Sequence, residues 1–430
     1  MSTFTTRSLC AAIVTFAAAG SADAQGLANR VSSASDGPVQ FTFAARDGVC
    51  GNGRTYISTG NNSFYGTINN SVSETLRNDP CVEGPVRVVL GRADRNVISV
   101  ETFVGPASVE PGATDLGTVP AREANEFLLS LAARLDGRPG KDAIFPAMLA
   151  DSANAIAPLL AIGRDKARPS ETRRSALSWL GREVERDASA ADRVTTALVA
   201  LAKDQSEMQA VRSQAVSVLA RLDRGHGIPA LSQLATASED MWLGKQALGS
   251  LAKSGDPRAR QTLRTAVQRA DLPEDMLVTA IRALGREYAT GQDLDLIRGL
   301  YGKLDSEKAR SSVISTVSEL GGSENTRWLL GIVRQEEQPI ALRRAALRGA
   351  AKSGATTPEL VALYTPTMSA QMKESLISLY SERGDEAAVD KLLSIVKTEE
   401  DRSLRRRTIS RLSKSDDPRV KQALVDIVER

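Results

Sequence analysis

The sequence predicts a mainly α protein, an α-solenoid of helix-turn-helix repeats preceded by a small β-rich domain. Three observations carry this. A short apolar motif recurs through residues 120–430 at intervals of 29 to 39 residues. Upstream, between residues 38 and 105, apolar and polar side chains alternate, which is the period of a strand. Aromatic residues are only 4% of the 430, and Ala, Leu, Arg and Ser dominate the second half. That profile suits thin, closely packed helices better than one large mixed core.

The chain opens with Arg7, an apolar run from Leu9 to Ala19, and then Gly20-Ser21-Ala22-Asp23-Ala24-Gln25. A positive start, a short apolar stretch and small residues at Ala22 and Ala24 form the pattern of a secretory signal over residues 1–24, with cleavage between Ala24 and Gln25. An uncleaved anchor or a buried helix is the alternative, but the run is well short of the ~20 residues that span a bilayer. The expectation is a periplasmic or secreted protein with no transmembrane span after signal removal. Cys10 leaves with the signal, so the mature chain keeps Cys50 and Cys81. In an exported protein these most simply form a disulfide. Two free thiols or a metal pair are the alternatives, and a metal pair lacks nearby histidines.

Residues 25–37 read as a flexible segment before the β domain of residues 38–105. Val39, Phe41 and Phe43 alternate with Gln40 and Thr42, and Val86, Val88 and Leu90 repeat the pattern. Gly91 to Asn96 reads as a turn, after which Ile98, Val100, Thr102 and Val104 complete a hairpin. A shorter strand falls around Thr55 to Ser58. It follows Gly48-Val49-Cys50-Gly51-Asn52-Gly53, which lacks the Lys-Ser/Thr of a phosphate loop and reads as turn chemistry. A polar loop runs from Gly60 to Pro85 and contains two glycosylation-type triplets, Asn61-Asn62-Ser63 and Asn69-Asn70-Ser71. Residues 106–119, rich in Pro and Gly, read as a linker to the helical array of residues 120–430.

Each unit of that array carries a small residue, an aliphatic one, two variable positions and then usually Leu. The instances are Ala176-Leu177 to Leu180, Ala215-Val216 to Leu219, Ala247-Leu248 to Leu251 and Ala280-Ile281 to Leu284. They continue as Thr316-Val317 to Leu320, Ala346-Leu347 to Ala350, Ser375-Leu376 to Leu379 and Thr408-Ile409 to Leu412, with a weaker unit around Ala143 to Ile162. Asp256-Pro257-Arg258 recurs as Asp417-Pro418-Arg419. Asp accepts hydrogen bonds from the free amides of a helix start, and Pro at the first helical position gives up no needed donor. A lone helical pair cannot bury its apolar stripe, so neighbours must stack. The Asp-Pro turns, the basic residues before Ala-Leu and the Leu-Gly or Lys-Ser-Gly endings resemble HEAT repeats, and most of all the HEAT-like units named after phycobilisome lyases. The resemblance covers about 300 residues. It implies a HEAT-like α-solenoid and, as the commonest use of that architecture, a non-enzymatic scaffold that binds other proteins.

The residues offer little for catalysis. Enzymes on such repeats that bind two irons use His-Glu motifs, whereas this chain has one histidine, His226, between Gly225 and Gly227. It reads as a turn residue, and no Gly-x-Ser-x-Gly elbow occurs. No cofactor is expected. A net charge of +3 is no footprint for nucleic acid. Trp179, Trp242 and Trp328 sit in helical pattern as core or ridge residues. Stepping back three and four residues from each aliphatic anchor gives Arg173 and Arg174, Arg212, Lys245, Arg343 and Arg344, Lys373, and Arg405 and Arg406. Leu277-Val278 and Val313-Ile314 interrupt them. Stacked units would align these residues into a basic column. Such a column holds acidic segments of a protein partner or an anionic envelope polymer, or it is an internal ladder to acidic residues of neighbouring turns. A second expectation gives the β domain a ligand and makes the whole an envelope sensor.

Overall fold

The computed structural model describes residues 22–54, 56–60, 64–66, 81–106, 109–151, 155–222, 225–236, 240–413, 417 and 419–422. The two glycosylation-type triplets and most of residues 1–24 lie outside them. The chain divides into two compact units, Met1–Val218 with Leu222–His226 and Leu219–Arg221 with Gly227–Arg430.

The first unit opens with α1 (Ala22–Ser33), so residues 25–37 are mostly helix rather than a flexible segment. Two apolar side chains one turn apart, Leu27 and Val31, are buried and anchor it. The Leu27 amide donates to Glu123 Oε1 at 2.7 Å. The main sheet has the order β7-β6-β1-β8, from β1 (Gly37–Phe43), β6 (Val86–Ala93), β7 (Asn96–Val104) and β8 (Thr114–Thr118). Val39, Phe41 and Phe43 bury one face, where Phe41 meets Phe127 edge-on at 6.1 Å. The hairpin turn is tighter than the sequence suggests. Only Asp94 and Arg95 turn, with φ of 48° and 64°, which matches the twist of the flanking strands. Arg92 therefore belongs to β6, and its buried guanidinium donates to Ser32 O (3.2 Å) and Ser35 O (3.3 Å), tying the end of α1 to the sheet.

Residues 106–119 are not merely a linker. Their β8 lies parallel to β1, and the Val119 amide donates to Thr42 O at 2.8 Å. A second, small sheet has the order β4-β3-β2-β5, from β2 (Cys50–Gly51), β3 (Tyr56–Ser58), β4 (Phe64–Gly66) and β5 (Val82–Glu83). Two of its strands thus lie within the stretch read as loop. A disulfide joins Cys50 to Cys81 with Cα atoms 5.2 Å apart. Gly51 is needed for close approach, because an added Cβ would stand 2.5 Å from Tyr56 O and from Val104 O. Gly53 is likewise crowded, since an added Cβ would collide with Pro106 O.

The β domain is fastened to the first helices, α2 (Ala121–Arg134), α3 (Gly137–Asp142) and α4 (Ile144–Leu149). Ala45 pairs antiparallel with Ala150, the Arg46 amide donates to Leu149 O (2.9 Å) and the Asp151 amide to Ala44 O (3.1 Å). Two hairpins follow: α5 (Ile156–Arg164) with α6 (Ser170–Arg186), and α7 (Ala191–Lys203) with α8 (Gln209–Leu219).

The described residues of the second unit form six further hairpins. Their first helices are α9 (Ile228–Thr236), α11 (Pro257–Gln268), α13 (Gly291–Leu300), α15 (Ser323–Arg334), α17 (Thr357–Val361) and α19 (Glu386–Thr398). Their second helices are α10 (Met241–Leu251), α12 (Glu274–Leu284), α14 (Glu307–Leu320), α16 (Ile340–Lys352), α18 (Ala370–Arg383) and α20 (Arg402–Leu412), each packed on the next. The molecule is thus a mainly α, HEAT-like α-solenoid preceded by a small β-rich domain. Asp256 caps α11 by accepting from the Arg258 amide at 2.7 Å, with Pro257 at the first helical position.

All eight recurring motifs fall on second helices, with two corrections of register. In α18 the buried positions are Leu376, Ile377 and Tyr380, one residue on from the motif as read. In α14 they are Val313, Ile314 and Val317, about one turn earlier.

Candidate interaction surface on the second helices

The predicted basic residues separate into two rows. One row is the residue whose amide closes the first turn of a second helix. These amides run from Arg173 to Pro169 O, Arg212 to Met208 O, Arg310 to Ser306 O, Arg343 to Pro339 O, Lys373 to Ser369 O and Arg405 to Asp401 O. Arg173, Arg212, Arg343 and Lys373 are buried. Each of the three arginines reaches back ten residues and donates its Nε to a carbonyl in the last turn of its partner helix. The distances are 3.1 Å to Gly163 O, 2.8 Å to Ala202 O and 3.0 Å to Val333 O. Those carbonyls have no partner within their own helix, and a cation there also complements the helix dipole.

The row also reaches forward. Arg173 holds Glu207, in the turn of the next hairpin, through both carboxylate oxygens (Nη1 to Oε1 2.8 Å), with both side chains almost fully buried. Hydrogen bonding from Arg173 keeps the Glu207 carboxyl below its ordinary pKa despite its burial. Lys373 pairs with Glu399 at 3.0 Å in the same relation. Burial pushes the Glu399 carboxyl up, but hydrogen bonds from Tyr364 and Lys373 outweigh it, and the net direction is down. As candidate partner contacts, Arg173, Arg212, Arg343 and Lys373 are therefore corrected. Their charged groups are consumed inside the fold. Arg405, in the last described hairpin, is half-buried.

Arg310 belongs to this row and was hidden by the register of α14. Its Nε donates to Leu304 O, and its guanidinium lies 5.7 Å from the Tyr301 ring. The interruptions of the row are thus Gly244 and Leu277, not Val313. The signal that finds Arg310 is its place four residues after the capping Ser306.

One residue further along, about 100° around the helix, lies the second row. Arg174, Arg344 and Arg406 are exposed and Lys245 is half-exposed. Lys245 pairs with Asp275 at 3.3 Å, and Arg344 donates to Ser375 Oγ at 3.0 Å. Arg174 and Arg406 have no ion pair among the described residues. The same solvent face carries Arg282, Arg348 and Lys352, which the three-and-four-residue rule does not reach. Arg407 pairs with Glu374, and Arg411 Nη2 donates to Ser378 Oγ at 3.2 Å.

Between α14 and α16 this face opens into a groove of about 250 Å³. Ser311, Ser315 and Ser318 line one side, Arg348 and Lys352 the other, and Ile314 the floor.

Other ionised groups are spent on structure. Asp293, wholly buried, binds Arg264 at 2.6 Å and Arg260 at 2.7 Å, and accepts from the Thr290 amide at 2.9 Å. Burial alone pushes its carboxyl up, but these donors prevail and bring the pKa to about 2. Trp179 is buried 6.0 Å from Phe145, and Trp328 stands edge-on to Tyr301 at 5.5 Å, so both pack as ridge residues. His226 is exposed in a turn. Among the described residues, no three His, Cys, Asp or Glu side chains gather as a metal site, and no helix is long and apolar enough to cross a membrane.

A family model agrees with the architecture over part of the helical array. A family model of HEAT repeats matches residues 195–275, from α7 to the start of α12. No curated protein matches. Human deoxyhypusine hydroxylase in complex with glycerol is similar at 17% identity with a TM-score of 0.28, covering 56% of this chain and 97% of that one. The complex of CpcE and CpcF of phycocyanin lyase from Nostoc sp. is similar at 17% identity and 0.26, covering 60% and 93%.

Proposed function

We propose that this HEAT-repeat protein is an exported, non-enzymatic scaffold that recruits protein partners through the solvent face of its second helices. The observation that carries the reading is the separation of the two basic rows. The inward row completes the fold, while the outward row leaves Arg174, Arg406, Arg348 and Lys352 exposed without ion pairs among the described residues. Within each unit, stacked second helices present such residues to solvent, which suits partner segments with acidic side chains. The β domain has a role within this reading. It covers the helical array at its start, where a terminal repeat needs a cap.

Export is supported by the N-terminal pattern and by the packing that follows it. The first buried apolar side chain after the cleavage point is Leu27, so a chain starting at Gln25 keeps every α1 contact described above. The disulfide fits an oxidising compartment, periplasmic or secreted. N-terminal sequencing of the chain recovered outside the cytoplasm tests this half of the proposal. A start at Gln25 is the expected result, and recovery only from the cytoplasm with Met1 retained contradicts it.

The binding half is tested by cross-linking in the native envelope. One sample is the natural chain and the other carries Arg174→Glu, Arg344→Glu and Arg406→Glu. A defined partner that is lost in the variant, with helicity and melting unchanged, supports the outward row as the surface. Identical partners in both samples refute it.

A further inference from the structure

We propose that the groove between α14 and α16 is the seat of the acidic partner segment, and that it takes an extended peptide with carboxylates at alternate positions. This rests on the scaffold reading and gives it a location and a ligand chemistry.

The groove exists because α14 and α16 approach closely. Gly349 is buried at their contact, and an added Cβ would stand 3.2 Å from Ser318 Cβ. Ser318 Oγ donates to Gly349 O at 3.1 Å, which fixes the spacing. Above this contact the two walls differ in chemistry. Ser311 and Ser315 offer hydroxyl donors with no partner among the described residues, and Arg348 and Lys352 offer cations without a carboxylate. Some other cations on the same face are already neutralised: Lys245 and Lys308 share Asp275, and Arg407 holds Glu374. Arg344 adds a third positive charge, because among the described residues it bonds the neutral Ser375 hydroxyl and no carboxylate.

Spacing selects the occupant. Arg344, Arg348 and Lys352 stand one turn apart on α16, a step of about 6 Å along the helix. Alternate residues of an extended chain are about 6.7 Å apart and face the same side. Three carboxylates at alternate positions therefore match three cations at successive turns, with the serines of α14 donating to the remaining oxygens. A nucleic acid fits poorly. The chain as a whole carries only +3, too small an excess for a phosphate track.

The test is fluorescence anisotropy with the full chain and three labelled heptapeptides. The first alternates glutamate with threonine, the second has the same composition with contiguous glutamates, and the third replaces glutamate by glutamine. The alternating peptide is expected to bind best. The double variant Arg348→Glu/Lys352→Glu should weaken it roughly tenfold or more, and added salt should weaken it further. Arg134→Glu, exposed at the end of α2 and outside the second-helix face, should leave it unchanged. Should the reversed pair fail to fold by circular dichroism, Arg348→Gln/Lys352→Gln replaces it with the same expectation in smaller measure. Equal binding of all three peptides, or an unchanged affinity in a folded variant, overturns the proposal. So does a single-stranded oligonucleotide of equal charge that outcompetes the peptide. So does self-association by sedimentation that is lost in the variant, since the groove's occupant is then a second copy. The envelope cross-link separates the two levels. A partner kept by Arg348→Glu/Lys352→Glu but lost on reversing Arg174, Arg344 and Arg406 removes the groove and leaves the scaffold reading. A partner kept by both variants removes both.

Discussion

Arg343 and Arg344 are adjacent on α16, identical in chemistry, and opposite in use. Arg343 is buried and gives its Nε to Val333 O, whereas Arg344 is exposed and bonds a serine of the next second helix. Arg173 and Arg174 divide in the same way in the other unit. A rotation of about 100° separates a residue that closes a hairpin from one that faces solvent. Charge content alone does not reveal this, because the arginine stem is apolar enough to bury when its head meets a carbonyl or a carboxylate. A basic column read from sequence is therefore two columns, and only the outer one is available to a partner.

The largest effect should come from breaking the inner row where it is ionic. Arg173→Ala leaves Glu207 buried and unpaired, at a cost of about 3–5 kcal/mol. Urea denaturation should show it, with much of the loss recovered by adding Glu207→Gln. A stability change near zero would move Arg173 to the surface row.

A comparable internal charge sits at Asp293. Its folded pKa is depressed to about 2 from an ordinary value near 3.9, so its contribution is present above the ordinary value and is lost as pH falls towards 2. On the order of 2 kcal/mol should disappear across that window. Asp293→Asn should flatten this part of the stability–pH curve, and an unchanged slope would contradict the assignment.

A smaller effect tests the corrected register of α14. Arg310→Met keeps the stem but removes the donor to Leu304 O, and should cost about 1–2 kcal/mol in thermal melting. If the loss is absent while Val313→Ala is also harmless, the register is wrong. Smallest of all, Arg174→Ala and Arg406→Ala should stay within about 0.5 kcal/mol of the natural chain.

What could be read from the sequence was local and periodic. Asp256-Pro257 announced a capped helix, Ala176-Leu177 to Leu180 a buried stripe, and Val39, Phe41 and Phe43 a strand with one apolar face. What escaped depends on contacts distant in sequence. β8 has little side-chain burial and is held by backbone pairing with β1, so no alternation marks it. Among the described side chains of α1, Leu27 and Val31 are the buried apolar pair that declares it. In α14 the run Val313-Ile314, Thr316-Val317 offers two equivalent anchors, and only the cap at Ser306 decides between them. The outward cations of the groove, Arg348 and Lys352, were beyond the rule because it stopped at the first turn.

The most direct test exchanges the two neighbours on α16. Arg343→Gln and Arg344→Gln are compared for unfolding free energy and for affinity towards the alternating glutamate peptide. The account predicts that Arg343→Gln loses about 1–3 kcal/mol of stability and keeps its affinity while folded. Arg344→Gln should keep its stability and lose affinity. The reverse assignment, or both effects in one variant and neither in the other, would contradict the division into an inner structural row and an outer binding row.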